Sequence, residues 1–475
     1  MSFDSNAPSE TAAVDNSFGS ILREAFWGTQ RDFTQGSLGV AIFILAVPMI
    51  VEMMAESLFA IVDIFFVSRL GSGAVAVVSI TESMMYLIYS VAIGLSIGAT
   101  ATVARRIGEK DTDGAAKAAT HSIYLGALAS ILLGTIGVIF APTFLRLMGA
   151  DESVVAEGTS FTRIMLGGNI VVMFLFMLNA IFRGAGDAAI AMRVLWFANI
   201  LNMIIAPCFI FGLWIFPELG VTGAAVGTTI GRGLGVLYAA YSLFFGEKRF
   251  AIHKQHWHID TERLWKLIKV SAPGILQFFI QTASWIGLVR VVTGFGTQAI
   301  AGYQIGIRVV IFALLPAVGL ANAAATLVGQ NLGAGKPERS EKAVWTAAFY
   351  NCLVQTTIGI LFVLFAEQIA GLFATEPEEF FFAATALRVI AYGFFFYAFG
   401  MVLETAFNGA GDTWTPTWLN FCVFWLFEIP LAYVLAYKYG LGPLGVFWSI
   451  TIAFSVLAIA ATLLFRRGKW KLKTV

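Results

Sequence analysis

Charge is scarce in this chain. Only 12% of its 475 residues are Asp, Glu, Lys or Arg, against 58% hydrophobic ones, a balance far from that of a soluble domain. Cysteine is scarcer still. Cys208, Cys352 and Cys422 all fall inside apolar segments at unrelated spacings, which excludes a disulfide framework and a cysteine metal site and leaves them as core packing. The four histidines, His121, His253, His256 and His258, lie at segment ends or in a central polar loop, with His256 and His258 expected at the surface. No His/Asp, Ser/His or Cys/His pair sits at membrane depth, and no glycine loop carries a phosphate-binding lysine at the required spacing, so an enzyme is not expected. The stretches 184-GAGD-187 and 333-GAGK-336 read instead as tight turns at helix ends.

Long apolar runs are what the sequence has. Twelve segments of spanning length can be read: 38–69, 73–103, 116–141, 159–182, 188–215, 221–245, 263–293, 298–328, 342–366, 380–407, 414–437 and 443–465. They are continuous and show no alternation, so an all-α membrane bundle of twelve transmembrane helices is expected and not a barrel. Residues 1–17 are polar, acidic and Ser/Ala-rich, and no cleavable signal peptide is expected there. The following stretch, 18-FGSILREAFWGTQRDF-33, puts Phe18, Ile21, Leu22, Ala25 and Phe26 on one helical face, as an interfacial helix would.

Orientation follows the Lys and Arg bias. Arg105, Arg106, Lys110, Lys117, Arg183, Lys248, Arg249, Lys254, Lys336, Arg339 and Lys342 follow even-numbered segments, and the tail adds Arg466, Arg467, Lys469, Lys471 and Lys473. These loops and both termini are expected to be cytoplasmic in a plasma membrane. The same bias accounts for the basic residues without nucleic acid as a partner.

The second half repeats the first. A constant offset of 225 residues superposes Pro48 on Pro273, Gly71 on Gly296, Gly94 on Gly319, Gly108 on Gly333 and 182-FRGAGD-187 on 407-FNGAGD-412. Two halves with an even number of spans share one orientation, so the expected fold has two six-helix lobes related by a pseudo-twofold axis along the membrane normal. The expected organisation is a tail with its interfacial segment (1–37), a first lobe (38–245), a cytoplasmic linker (246–262), a second lobe (263–467) and a basic tail (468–475). Two lobes on a long linker suit transport by alternating access.

The first segment holds three acids, in 51-VEMMAESLFAIVDIF-65. Glu52 and Glu56 are about 40° apart on a helix and Asp63 falls about 20° from each, so all three form one stripe, with Asp63 roughly 10 Å from Glu56 along the axis. Such a stripe must face the bundle interior or a wet cavity. Crowded carboxylates away from water favour holding a proton, as a cation-coupled transporter needs, although each acid can also serve only to hydrogen-bond a neighbouring helix. The register partners of the three are Gln277, Gln281 and Leu288, so the expected coupling chemistry is seated in the first lobe, with Gln277 and Gln281 on the matching wall of the other.

Taken with 58-LFAIVDIFFVSRLG-71, 102-TVARRIGEKDTDGA-115, 182-FRGAGD-187, 219-LGVTGAAVGT-228 and 329-GQNLGAGKPERSEKA-343, the chain from Leu38 to Arg467 resembles the multidrug and toxic compound extrusion (MATE) family. The resemblance implies export through a central cleft in exchange for inward H⁺ or Na⁺, with no cofactor. It identifies Asp63 as the coupling acid, beside Asn179, Asn202 and Thr228. Some members carry a second acid where this chain has Ala206, which leaves a Na⁺ site at Asp63, Asn202 and Thr228 incomplete and favours H⁺. Glu56 is the candidate substitute. Others couple through acids on the seventh and tenth helices, where Gln281, Tyr392 and Tyr397 stand here, with Glu404 nearby; the roles of Glu82, Glu404 and Glu428 stay open. The expected substrate is a small organic cation or amphipathic molecule, bound near Met53, Gln277, Gln281, Tyr303 and Gln304, by a monomer embedded in membrane lipids. A flippase for lipid-linked oligosaccharides or peptidoglycan precursors is the alternative; it calls for cations in the cleft to hold a pyrophosphate.

Overall fold

The computed structural model describes residues 17–246, 250, 252–374 and 376–475. The polar tail before residue 17, and Lys248 and Arg249 of the central loop, lie outside the described residues. Every regular element among the described residues is helical. Helix α1 (Phe18–Trp27) starts at Ser17, whose hydroxyl accepts the Ser20 N–H. It buries Ala25, rests Phe18 against Phe43, and leaves the Phe18 and Trp27 rings largely exposed.

The first lobe runs through α2 (Leu38–Ser68), α3 (Ser72–Gly108), α4 (Thr112–Leu147), α5 (Glu152–Gly167), α6 (Asn169–Ala185), α7 (Ala188–Phe211) and α8 (Val221–Phe245). Helices α5 and α6 form a single span. The second lobe repeats this order with α9 (Thr261–Val292), α10 (Thr297–Gly333), α11 (Pro337–Ala370), α12 (Pro377–Ala391), α13 (Phe394–Gly409), α14 (Trp414–Asn420), α15 (Ile429–Tyr433) and α16 (Pro443–Arg466). Helices α12 and α13 bend by 60° where they meet. Helices α14 and α15 belong to one rod, Trp414–Lys438, with π-helical turns before and after α15. The widened turns flank Pro430, whose missing N–H interrupts the α ladder.

Among the described residues ten helical spans are long and apolar enough to cross a membrane, or eleven with the bent pair. Helix α8 completes the twelve; its five glycines and Arg232 dilute its apolar character. The segment read as 159–182 begins earlier, at Glu152, and that read as 380–407 begins at Pro377. Acids in those first turns, favourable at a helix N-terminus, interrupt the apolar pattern and hide the start.

Two residues sit differently from expectation. His256 is buried, because the central loop folds back on α4: its Nε2 lies 3.0 Å from Asp113 Oδ1, while Thr120 Oγ1 donates to the His256 carbonyl at 2.9 Å. Asp260 then starts α9 by accepting the N–H groups of Arg263 and Glu262, which hold its carboxyl below the usual range. Cys422 is exposed on the π-helical stretch and takes no part in a core, unlike Cys208 and Cys352.

The lobes meet along a seam that obeys the internal repeat. Gly94 of α3 presses on Ile275 of α9, and its partner Gly319 of α10 presses on Ile50 of α2. Gly108 abuts the carbonyl of Gln330, and Gly333 abuts the carbonyl of Arg105. Each contact is the other shifted by 225 residues in both members, as a twofold axis between the lobes requires. Inter-lobe hydrogen bonds lie at the same end, among them those from Thr326 Oγ1 to the Arg183 carbonyl at 3.1 Å, from Gln330 Nε2 to the Gly184 carbonyl at 3.0 Å and from Arg105 Nη2 to the Ala410 carbonyl at 3.2 Å. Towards the opposite end, Gly302, Gly306 and Gly287 pack only within their own lobe. The cleft is therefore closed at the end that carries Arg105, Arg106, Lys336 and Arg339.

Candidate functional site

Helix α2 carries the acid stripe, and the structure gives its three acids different partners. Glu52 is buried, with its Oε1 3.5 Å from Arg183 Nη1. Glu56 Oε1 accepts from Arg232 Nη2 at 2.8 Å, and its Oε2 from Asn199 Nδ2 at 3.3 Å. Asp63 has no ion-pair partner among the described residues, and its Oδ1 is buried without a hydrogen bond. Glu82 of α3 and the Arg232 guanidinium are the charges that act on it.

Arg232 is the hub that sequence reasoning missed. It is 6% exposed, lies over the Phe59 ring at 5.3 Å and has the Tyr89 hydroxyl beside it. Its position follows from α8. Gly223, Gly227, Gly231 and Gly235 form a stripe at every fourth residue, and a Cβ on Gly227 would lie 2.5 Å from Ala206 Cα, while one on Gly231 would lie 2.8 Å from Asn202 Cβ. Small residues at this spacing let two membrane helices approach closely, and α7 thus brings Asn199 and α8 brings Arg232 to the same carboxylate. A lone arginine inside an apolar run, in the lobe that holds the acid stripe, was the signal available in the sequence. Arg183, expected in a basic loop, is the last turn of α6 and reaches Glu52.

The other expected residues are dispersed. Asn179 and Asn202 are buried, with Asn179 Oδ1 and Asn202 Nδ2 unbonded, and Thr228 is buried nearby on α8. Among the described residues no hydrogen bond joins these three to Asp63. Met53 and Gln281 are half-buried, Gln304 is exposed, and Gln277 is buried with Oε1 unbonded. Tyr303 lies in the core of the second lobe, its ring stacked on Phe447.

The pair Glu56–Arg232 supports the fold as well as the site. Because the Glu56 side chain is 41% exposed, losing its partner costs less than the 3–5 kcal/mol of a fully buried pair, about 2 kcal/mol. Arg232→Leu should lower the thermal midpoint of the purified protein, and adding Glu56→Gln should recover part of the loss. A double variant less stable than the sum of the two single changes would contradict the pairing.

Known proteins share this architecture. The MatE family model matches the chain twice, at residues 48–208 and 273–434, and the two matches begin 225 residues apart. The probable multidrug resistance protein NorM of Thermotoga maritima is 28% identical over 437 residues, which cover 91% of this chain and 93% of that protein. A FAD transporter of Shewanella oneidensis is 25% identical, with 90% and 95% covered. Among solved structures, an outward-facing multidrug resistance MATE family transporter superposes with a TM-score of 0.87 at 27% identity, over 93% of this chain and 98% of that one. With both halves matched by one family model and a fold of two six-helix lobes, the chain belongs to the MATE family of multidrug efflux transporters.

Proposed function

We propose that this protein is an antiporter that expels organic cations or amphipathic molecules in exchange for H⁺, with Asp63 as the proton carrier. The observation that carries the reading is the division of labour on α2. Arg183 and Arg232 pair with Glu52 and Glu56, whereas Asp63 has no ion-pair partner among the described residues and its Oδ1 is buried without a hydrogen bond. A group that must be loaded and emptied in each cycle cannot be fixed in an ion pair.

Donor chemistry favours a proton over Na⁺. A hard cation wants several oxygen ligands, while the orphan atom of Asn202 is its amide nitrogen, Ala206 has no polar atom, and the fixed charge of Arg232 repels a metal ion. The basic end, closed in this structure, faces the cytoplasm by the positive-inside bias, so the cleft is turned outward in the plasma membrane. Protonation of Asp63 from outside then lowers the cost of a rearrangement that releases substrate, and return to the inward-open form lets the proton leave. One chain holds both lobes and the whole cleft, so a monomer suffices. The flippase alternative is the weaker reading, since Arg183 and Arg232, the arginines that reach the acid stripe, are engaged by carboxylates and are not left to hold a pyrophosphate.

Proteoliposomes provide the test. Ethidium efflux should run on an imposed H⁺ gradient without Na⁺, and a Na⁺ gradient without a pH difference should leave it at the background of empty vesicles. Strict dependence on Na⁺ would overturn the proton assignment.

A further inference from the structure

Four cationic side chains line a single cavity of about 430 Å³ on the seam between the lobes: Arg105 and Arg106 from the end of α3, and Lys266 and Lys269 from the first turns of α9. Glu109 is the acidic side chain in its wall, and it is already engaged by Arg106 at 2.7 Å. Lys266 pairs with Glu262 at 2.8 Å. Arg105 and Lys269 have no carboxylate partner among the described residues. Arg105 is 8% exposed; its Nη2 donates to the main-chain carbonyls of Ala410 at 3.2 Å and Lys473 at 2.9 Å, and its Nε is buried without a partner. The Lys269 ammonium lies 5.7 Å from the ring centre of the exposed Trp265.

The positive-inside bias explains how many cations gather at this end. It does not explain why two from each lobe converge on one volume with a buried guanidinium N–H left unbonded. Like charges brought face to face by closure of the seam oppose that closure, unless an anion lies between them. The carboxyl group of Val475, which also lines the cavity, already does so in part, since its oxygen accepts from Arg106 Nη2 at 3.2 Å. We propose that this cavity is a phosphate-binding site, and that its occupancy favours the form in which the lobes are closed at the basic end. The chemistry is a phosphate oxygen set shared by guanidinium and ammonium donors of both lobes. Its source is either the phosphodiester of an anionic lipid headgroup, with Trp265 at headgroup depth, or a soluble phosphate. An anion that binds the closed seam better than the parted one shifts the population towards closure by that difference.

The full chain should be compared with Lys266→Gln/Lys269→Gln, which leaves Arg105 and the acid stripe intact. Both are placed in nanodiscs of phosphatidylcholine alone, in nanodiscs that also contain phosphatidylglycerol, and in detergent titrated with inorganic phosphate. Thermal midpoint reports binding, and the distance between spin labels at Lys110 and Glu338 reports closure. In the unaltered chain the phosphate-bearing partner should raise the midpoint and the closed population, with affinity falling about thirtyfold in the double variant. A response to phosphatidylglycerol and not to inorganic phosphate assigns the lipid; a response to inorganic phosphate in detergent assigns the soluble anion. Identical behaviour of the two proteins in every condition, or closure unchanged while an anion binds, overturns the proposal.

Discussion

Asp63→Asn should reduce H⁺-driven efflux of ethidium to the background of empty proteoliposomes while the protein still inserts and folds. The substitution keeps shape and removes the charge, so the site is held in the neutral form and the cycle loses the step in which a proton is taken up and released. No hydrogen bond is sacrificed, because Asp63 Oδ1 has none to lose. The stability change should therefore stay within about 1 kcal/mol, well below the cost of breaking a buried network. Binding of ethidium, followed by its fluorescence, should persist in the variant. This separates a coupling defect from a damaged cleft. Asp63→Glu, which keeps a titrating carboxyl, should recover part of the rate. Efflux by Asp63→Asn at the unaltered rate would move the proton site elsewhere, with Glu82 as the remaining exposed acid of the first lobe near Arg232.

Much of this architecture was legible in the sequence because hydrophobic length and a constant repeat offset are strong, local signals. The twelve segments, the two lobes and the pairing of Gly108 with Gly333 all follow from them. Helix starts were blurred wherever capping acids precede the apolar run, as at Glu152 and Glu378. The acid stripe was also legible, since 3.6-residue periodicity alone places Glu52, Glu56 and Asp63 together. Their partners were not. Which carboxylate meets Arg183 and which meets Arg232 depends on how closely α7 and α8 approach, and that is set by glycines whose meaning appears only when the facing helix is known. His256 illustrates the same limit: a polar loop reads as solvent-exposed until its fold against α4 brings Asp113 to the ring.

Gly108→Ala and Gly333→Ala should each cut transport by more than about tenfold with little change in the stability of either lobe. A Cβ at Gly108 would collide with the carbonyl oxygen of Gln330, and one at Gly333 with that of Arg105. Backbone oxygens in packed helices cannot yield as a flexible side chain can, and overpacking of this kind costs about 1–3 kcal/mol. Here the cost falls on one conformation. Both collisions are between lobes, so parting the seam at the basic end relieves them, and the variants should accumulate in the form open at that end. Spin-label distances between Lys110 and Glu338 should lengthen in both. The pair Gly184 and Gly409 supplies the contrast, since a Cβ there would meet Thr100 O at 2.9 Å and the Ala325 carbonyl, each within its own lobe. Alanine at those positions should lower the thermal midpoint and leave the distance distribution unbiased. Equal destabilisation by all four substitutions would mean that the seam is part of the permanent core; a selective shift by the first two identifies it as the surface that parts in each cycle.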